Sequence, residues 1–170
     1  SGATLVCVFG AVLLVFAAYI HGRVFQYSTY LQDILEAAPS GILAIDQQGF
    51  VRFANPAARQ IFEYGKDELA GLSVEKLIPS SIRDKHPQLR SSFVKERRSR
   101  RMGEGRDIHG VTRSGTEVPL EIGLTFLSTG ASPMIIVGVI DIRELKAAQT
   151  TIVRQNMNLA RSVKELEQFA

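Results

Sequence analysis

The stretch GILAIDQQGFVRFANPAARQIFEY, Gly41–Tyr64, predicts a β-hairpin that is followed at once by a helix. Two short β-rich runs, Gly41–Asp46 and Gly49–Asn55, flank the polar pair Gln47-Gln48, and Gly49 supplies turn flexibility. Asn55-Pro56 then combines a favoured N-cap residue with the proline that is common at the first helical position. Two strands and a capped helix therefore open a globular domain.

Downstream of this opening, short helical segments come first and strands return after them. Ser73–Pro79 predicts a single turn, and a longer polar helix is expected from Ser80 into the basic stretch Lys95–Arg106. Three further strands are predicted, separated by turn residues, at Arg106–Thr112, Glu117–Phe126 and Met134–Ile142. The last is apolar nearly throughout and indicates a central strand. The pattern predicts an α+β domain with a five-stranded sheet.

Composition excludes several classes of protein. The chain has 170 residues, of which 45% are hydrophobic and 22% charged, a balance typical of a globular protein. The single cysteine, Cys7, rules out a disulfide framework and a cysteine zinc site within this chain. A net charge of +3 is too small to indicate nucleic acid as a partner. The carboxylate pairs Asp67-Glu68 and Glu117 with Glu121 come with no nucleophile, so no catalytic set is predicted.

The N-terminal residues 1–23 contain an uncharged run, Ala3–Ile20, near the lower length limit for a helix that crosses a bilayer. Tyr19 and then Arg23 follow as an interfacial aromatic residue and a positive charge, which favours a span with its C-terminal end inside the cell. A signal peptide fits less well because no basic region precedes the run. A buried or dimer-forming helix is the other alternative. Residues 24–38 predict a connecting helix that ends before Pro39.

The C-terminal residues 144–170 carry a heptad pattern. The d positions are occupied by Leu145, Ile152, Leu159 and Leu166. This register places polar Gln149 and Asn156 at a positions. A buried asparagine at an a position is a known device for fixing register and a dimeric state, so a parallel two-stranded coiled coil is predicted. One amphipathic helix packed on its own domain is the alternative.

Three segments together resemble a PAS domain of a bacterial sensor histidine kinase: AIDQQGFVRFANPAARQIFEYGKDELAG, GVTRSGTEVPLEIGL and GVIDIRELKAAQ. The resemblance implies a PAS fold, an antiparallel sheet with helices on one face, over residues 39–143. Asp141 and Ile142 match the motif that joins the PAS sheet to its output helix, so they and Asn156 are expected to relay the signal. Arg143 replaces the usual threonine or serine, which puts the hydroxyl hydrogen bond of that motif in doubt.

The resemblance also implies a place in a two-component system. Lys164–Ala170 looks like the start of the dimerisation helix that leads to the phosphorylated histidine of such kinases. We therefore expect a non-enzymatic piece of a protein histidine kinase, truncated at that helix and forming a homodimer through its N- and C-terminal helices. The expected location is the inner membrane, with the PAS domain on the cytoplasmic side. A response regulator would be reached through the missing kinase core.

His86 and Arg106 are the candidate cofactor-binding residues. Their positions resemble those of the iron-holding histidine and the oxygen-binding arginine in the oxygen-sensing PAS kinases, which implies a haem or other ligand pocket. Because Pro87 disfavours the helical region for the residue before it, we expect His86 to lie outside a helix. An ordinary solvated histidine is the alternative. A phosphoacceptor role is disfavoured because the dimerisation helix begins only at the C-terminus.

The basic stretch Lys95–Arg106, KERRSRRMGEGR, is the remaining feature with a binding interpretation. Basic residues near a membrane are attracted to anionic lipid, so contact with lipid is one interpretation. A solvated helix end and loop is the other, because charge runs alone are unspecific. No aromatic residues are interleaved for base stacking, and nucleic acid binding is therefore not expected.

Overall fold

The computed structural model describes residues 19, 21, 29–103, 107–128 and 133–168 of the chain. The chain divides into two compact units, residues 1–38 and 39–170. In the first unit residues 29–37 are helical (α1), within the predicted connecting helix. The predicted span Ala3–Ile20 lies outside the described residues except for Tyr19. Across the ranges given above, no helix is long and apolar enough to cross a membrane.

The second unit is built on an antiparallel sheet with the strand order β2-β1-β6-β5-β3, in which β4 also pairs with β5. The expected α+β PAS architecture is therefore present. The strands are β1 (Gly41–Asp46), β2 (Val51–Ala54), β3 (Arg100–Met102), β4 (Ile108–Val111), β5 (Glu117–Leu127) and β6 (Met134–Asp141). Strand β6 lies between β1 and β5, which confirms the predicted central strand and explains its apolar sequence.

The sheet has six strands in the described part of the chain, and the prediction of five was wrong by one. The missed strand is β3, which lies inside the basic stretch and carries two exposed arginines, Arg100 and Arg101. Charged residues do not predict a strand. Strand β3 forms because β5 extends past its pairing with β4. The further part of β5 pairs with β3, with Ile122 opposite Met102 and Leu124 opposite Arg100. Long-range pairing thus overrides local preference here.

The helices of this unit are α2 (Pro56–Phe62), a 3₁₀ helix (Val74–Leu77), α3 (Ser80–Arg83), α4 (His86–Glu96) and α5 (Arg143–Gln168). Asn55 caps α2, since its side chain accepts a hydrogen bond from the Ala58 N–H, as predicted. The 3₁₀ helix confirms the single turn expected over Ser73–Pro79.

The single polar helix predicted from Ser80 is wrong, because the chain forms two helices, α3 and α4, with Asp84 and Lys85 between them. Pro87 has no N–H to donate to the carbonyl of Arg83, so the helical hydrogen-bond ladder is interrupted at that point. The expectation that Pro87 excludes His86 from a helix is also wrong. His86 is the first residue of α4, and Pro87 occupies the first turn, where no backbone donor is required.

The core lies between one face of the sheet and the short helices. Alternate residues of β5 face it, and Val118 and Leu120 are fully buried there, as the alternating pattern predicts. The helical side contributes Phe62, Leu77 and Phe93, each buried. Burial of this apolar surface stabilises the domain, and a cavity lies between the sheet and α4.

Candidate functional site

The cavity has a volume of about 110 Å³ and is lined almost entirely by apolar side chains. Sheet residues such as Leu43, Leu120 and Val139 form one wall. One face of α4 forms the opposite wall, because residues spaced by three and four along a helix project to the same side. Those residues are His86, Leu89, Arg90 and Phe93. Among the described residues, the polar side chains in the lining are the histidines and arginines His86, Arg90, Arg100 and His109.

Arg90 is held in place at the edge of this cavity, with only 11% of its side chain exposed. Its Nη1 donates a hydrogen bond to Glu75 Oε1 in an ion pair, and its Nη2 donates to the carbonyl of Gln48 at 3.0 Å. Gly49, at φ +94°, leaves the space that the guanidinium fills, since a Cβ at that position would overlap it. Arg90 therefore joins α4 to the β1–β2 turn and to the 3₁₀ helix.

Glu75 is the acidic partner of this cluster. Its Oε2 accepts a hydrogen bond from Ser73 Oγ at 2.5 Å, while Oε1 pairs with Arg90. Burial raises the pKa of the Glu75 carboxyl, but the hydrogen bonds from Ser73 and Arg90 outweigh that effect and lower the pKa below its usual value. Glu75 is therefore ionised near neutral pH and neutralises the charge of Arg90.

His86 lies beside the same carboxylate. Its Nδ1 is 3.4 Å from Glu75 Oε1, and 17% of its side chain is exposed. The structure thus brings one predicted cofactor-binding residue to the cavity, while its predicted partner Arg106 falls in the gap between residues 103 and 107. His109, to which the sequence assigned no role, also reaches the cavity. The sequence left open whether His109, on strand β4, faces the cavity or the solvent. The pairing of β4 with β5 in the sheet decides this.

The join to the output helix is built around Asp141. Its Oδ1 accepts a hydrogen bond from the Arg143 N–H at 2.9 Å, and its Oδ2 accepts from the guanidinium Nε and Nη2 of the same arginine at 2.8 and 2.6 Å. These bonds to Arg143 lower the pKa of Asp141, against the effect of burial. Arg143 thus holds the aspartate with a guanidinium where the family motif uses a hydroxyl. Ile142 adds a backbone bond to the Pro119 carbonyl at 3.2 Å.

Helix α5 touches the sheet near its first turn. Lys146 is the one α5 side chain, among those described, that is not exposed. Its Nζ lies 2.7 Å from Asp107 Oδ1, and this contact lowers the pKa of Asp107. Asp107 directly precedes β4, whose Ile108 and His109 line the cavity. This ion pair connects the residue that precedes β4 to α5, while Asn156 lies further along α5 and is exposed.

The described basic residues of this stretch are exposed, and some of them make contacts within the domain. Arg100 pairs with Glu96 at 3.2 Å and lies over the Phe93 ring at 5.4 Å from its centroid. Arg97 lies over Phe126, at 5.5 Å. Through Arg101 the stretch is thus an exposed helix end, a short linker and strand β3, so its solvated character agrees with the expectation and a strand replaces part of the expected loop.

No group of three or more histidine, cysteine, aspartate or glutamate side chains is placed to hold a metal ion in the part of the chain that the structure describes. An antiparallel sheet, short helices that cover one face, an apolar cavity between them and a long C-terminal helix define an α+β domain with an internal cavity. Residues 29–142 match the PAS fold, and the chain belongs to the PAS family.

Two curated relatives are sensors. The chain is 26% identical over 133 residues to the sensor protein FixL of Bradyrhizobium diazoefficiens, a match that covers 78% of this chain and 26% of that protein. It is 27% identical over 94 residues to the oxygen sensor protein DosP of Escherichia coli, covering 55% of this chain and 12% of DosP. The matches thus span about a quarter or less of the length of these relatives.

A solved structure confirms the fold. The PAS domain of the HTR-like protein from Haloarcula marismortui superposes with a TM-score of 0.63 at 18% identity, covering 74% of this chain and 99% of that domain. The protein is therefore a PAS domain with relatives among sensor proteins.

Proposed function

We propose that the chain is the sensory and dimerising module of a membrane-bound two-component sensor histidine kinase. In this proposal residues 1–23 anchor it in the inner membrane, and the PAS domain hangs on the cytoplasmic side. The module performs no chemistry itself. It relays a signal through α5 to a kinase core outside this chain, which then addresses a response regulator. The contact of Lys146 with Asp107 carries the proposal, because it connects the cavity edge directly to α5.

The relay works as a population shift between two packing states of paired α5 helices. Leu145, Ile152 and Leu159 recur at heptad spacing, and each is more than half exposed. That exposure argues against the alternative in which α5 packs on its own domain, and it supports pairing with a second copy. The polar layers at Gln149 and Asn156 keep the two states close in free energy. An input shifts the balance only if it binds one state better than the other.

The relay is tested in the full-length kinase with the double substitution Gln149→Leu and Asn156→Leu. Apolar residues at both a positions should lock the coil in one packing state, so that autophosphorylation no longer responds to the stimulus. The matched control is Thr151→Leu with Asn158→Leu, two exposed positions outside the a and d seam, and it should respond normally. A normal response from the Gln149 and Asn156 variant contradicts the mechanism.

A haem-based oxygen sensor is the second candidate function, supported by the similarity to an oxygen sensor protein and by the position of His86. The donor chemistry fits, since a ligating histidine commonly donates its other ring N–H to a carboxylate, as His86 Nδ1 can to Glu75. The space does not fit in this structure. About 110 Å³ is well below the roughly 300 Å³ at which pockets for drug-sized ligands begin.

When bound, haem supplies an iron that takes a diatomic gas. His86 would hold the iron, and Arg106 would supply a hydrogen-bond donor. The test is the absorption spectrum of the chain expressed with haem. A Soret band that His86→Ala removes and His109→Ala retains would support this function, because both histidines line the cavity and the Nδ1 of His86 lies beside the carboxylate of Glu75. Absence of the band, or a band unchanged in His86→Ala, excludes it.

A further inference from the structure

The lining of the cavity is apolar apart from a few histidine and arginine side chains. Among the described residues that line it, the polar side chains are histidines and arginines and none is a carboxylate. Arg100 is 44% exposed, pairs with Glu96 and lies over the ring of Phe93. His86 faces the carboxylate of Glu75. Arg90 is therefore the arginine of the lining whose hydrogen-bond donors bear on what the cavity can bind.

Arg90 has one donor left over. Its Nη1 and Nη2 donate to Glu75 and to the Gln48 carbonyl, but its Nε is buried and has no hydrogen-bond partner among the described residues. It is the one such buried side-chain atom in the part of the chain covered by the structure. Buried donors are almost always paired in folded proteins, so an unpaired one requires an explanation.

The guanidinium cannot easily turn to find another acceptor. Its two terminal nitrogens are fixed from different directions, and the turn at Gly49 closes over it. The donor is thus held in one orientation before any ligand arrives, which lowers the entropic cost of binding. Since Glu75 already neutralises the charge, a single oxygen acceptor, neutral or anionic, would complete the set.

We propose that the cavity binds a small, mainly apolar molecule with one oxygen acceptor, and that Arg90 Nε donates the hydrogen bond that selects it. The apolar walls take the hydrocarbon part. A cavity of about 150 Å³ holds benzene, so about 110 Å³ suits a hydrocarbon body of about four or five carbon atoms. The inference deepens the proposed function and rests on it in one respect, since this molecule would be the sensory input.

The test compares three probes of equal length, 2-pentanone, pentanoate and pentane, added to the full chain. Binding is followed from the methyl signals of cavity residues such as Leu43, Ile122 and Val139. At least one of the two oxygen-bearing probes should bind about tenfold more tightly than pentane, as expected for one hydrogen bond from a charged donor. Preference for pentanoate identifies an anionic acceptor, and preference for 2-pentanone a neutral one.

Arg90→Lys keeps the positive charge but removes the Nε donor. It should retain pentane binding, which shows an intact cavity, and lose the preference for the oxygen-bearing probes. Arg98→Lys, at an exposed position beyond α4, is the matched control and should keep that preference. The proposal is overturned if no probe binds, if pentane binds as tightly as the others, or if Arg90→Lys keeps or abolishes binding of all three alike. The relay through α5 is tested separately, by autophosphorylation of the full-length kinase. Failure of the probes to bind therefore contradicts this proposal and does not bear on the α5 mechanism.

Discussion

At the scale of single residues, Asn55 shows how one side chain joins three segments. It is fully buried, and its Oδ1 accepts hydrogen bonds from the backbone N–H of Ala58 and of Ile42, at 2.9 and 2.8 Å. Its Nδ2 donates to the carbonyl of Ser40 at 2.9 Å. The helix cap that the sequence predicts is therefore also the connection between α2 and the start of β1.

Asn55→Ala should lower the free energy of unfolding by about 3 kcal/mol, because the helix loses its cap and the Ile42 N–H is left buried without a partner. Urea denaturation measures the change. Asn158→Ala, at an exposed position of α5, should leave the stability nearly unchanged. A loss of less than about 1 kcal/mol in Asn55→Ala would mean that the helix cap contributes to stability and the bond to the Ile42 N–H does not.

At the scale of the elements, the join between β6 and α5 makes stability depend on pH. The bonds from Arg143 lower the folded-state pKa of Asp141 below its unfolded value of about 3.9. A group with a lowered folded-state pKa stabilises the fold above its unfolded pKa, and the contribution disappears as the pH falls through the folded-state pKa. The contribution of Asp141 is therefore complete near neutral pH and is lost in acid.

The comparison of wild type with Asp141→Asn measures this contribution. At pH 7 the variant should be less stable by about 1 kcal/mol, because Asn keeps an acceptor for the Arg143 N–H but loses the ion pair. The difference in unfolding free energy should shrink as the pH falls below about 4. Asp84→Asn, an exposed control at the end of α3, should differ from wild type by less at pH 7. A gap between wild type and Asp141→Asn that widens in acid contradicts the assignment.

At the scale of the whole molecule, the exposed apolar side chains of α5 predict self-association. Sedimentation equilibrium should give a mass near twice the 18.7 kDa of the chain. Ile152→Asp with Leu159→Asp should give the monomer, because two charges would be buried in the d layers of the coil. Thr151→Asp with Asn158→Asp adds the same charge outside the seam and should remain dimeric. Equal association of both variants would locate the dimer contact elsewhere.

Local patterns predicted much of this fold, and the misses have different causes. The Asn55 cap and the alternation along β5 depend on neighbours in the sequence, so both were predictable. Strand β3 was not, because its pairing comes from β5 rather than from its own arginines. For His86 the family resemblance predicted a ligand pocket, and the structure places the residue in the lining of a cavity, while the helix that begins with it was excluded in error.

The amino-acid sequence by itself determined the hairpin and capped helix that open the domain, the central position of β6 and the PAS family, since periodicity, caps and motifs are local properties. Only the tertiary structure decided that Arg90 donates hydrogen bonds to Gln48, 42 residues away, and to Glu75. These bonds leave its Nε unpaired among the described residues. The same holds for the contact of Lys146 with Asp107. Such contacts depend on which faces of distant segments meet in the packed chain, and local preference does not encode that choice.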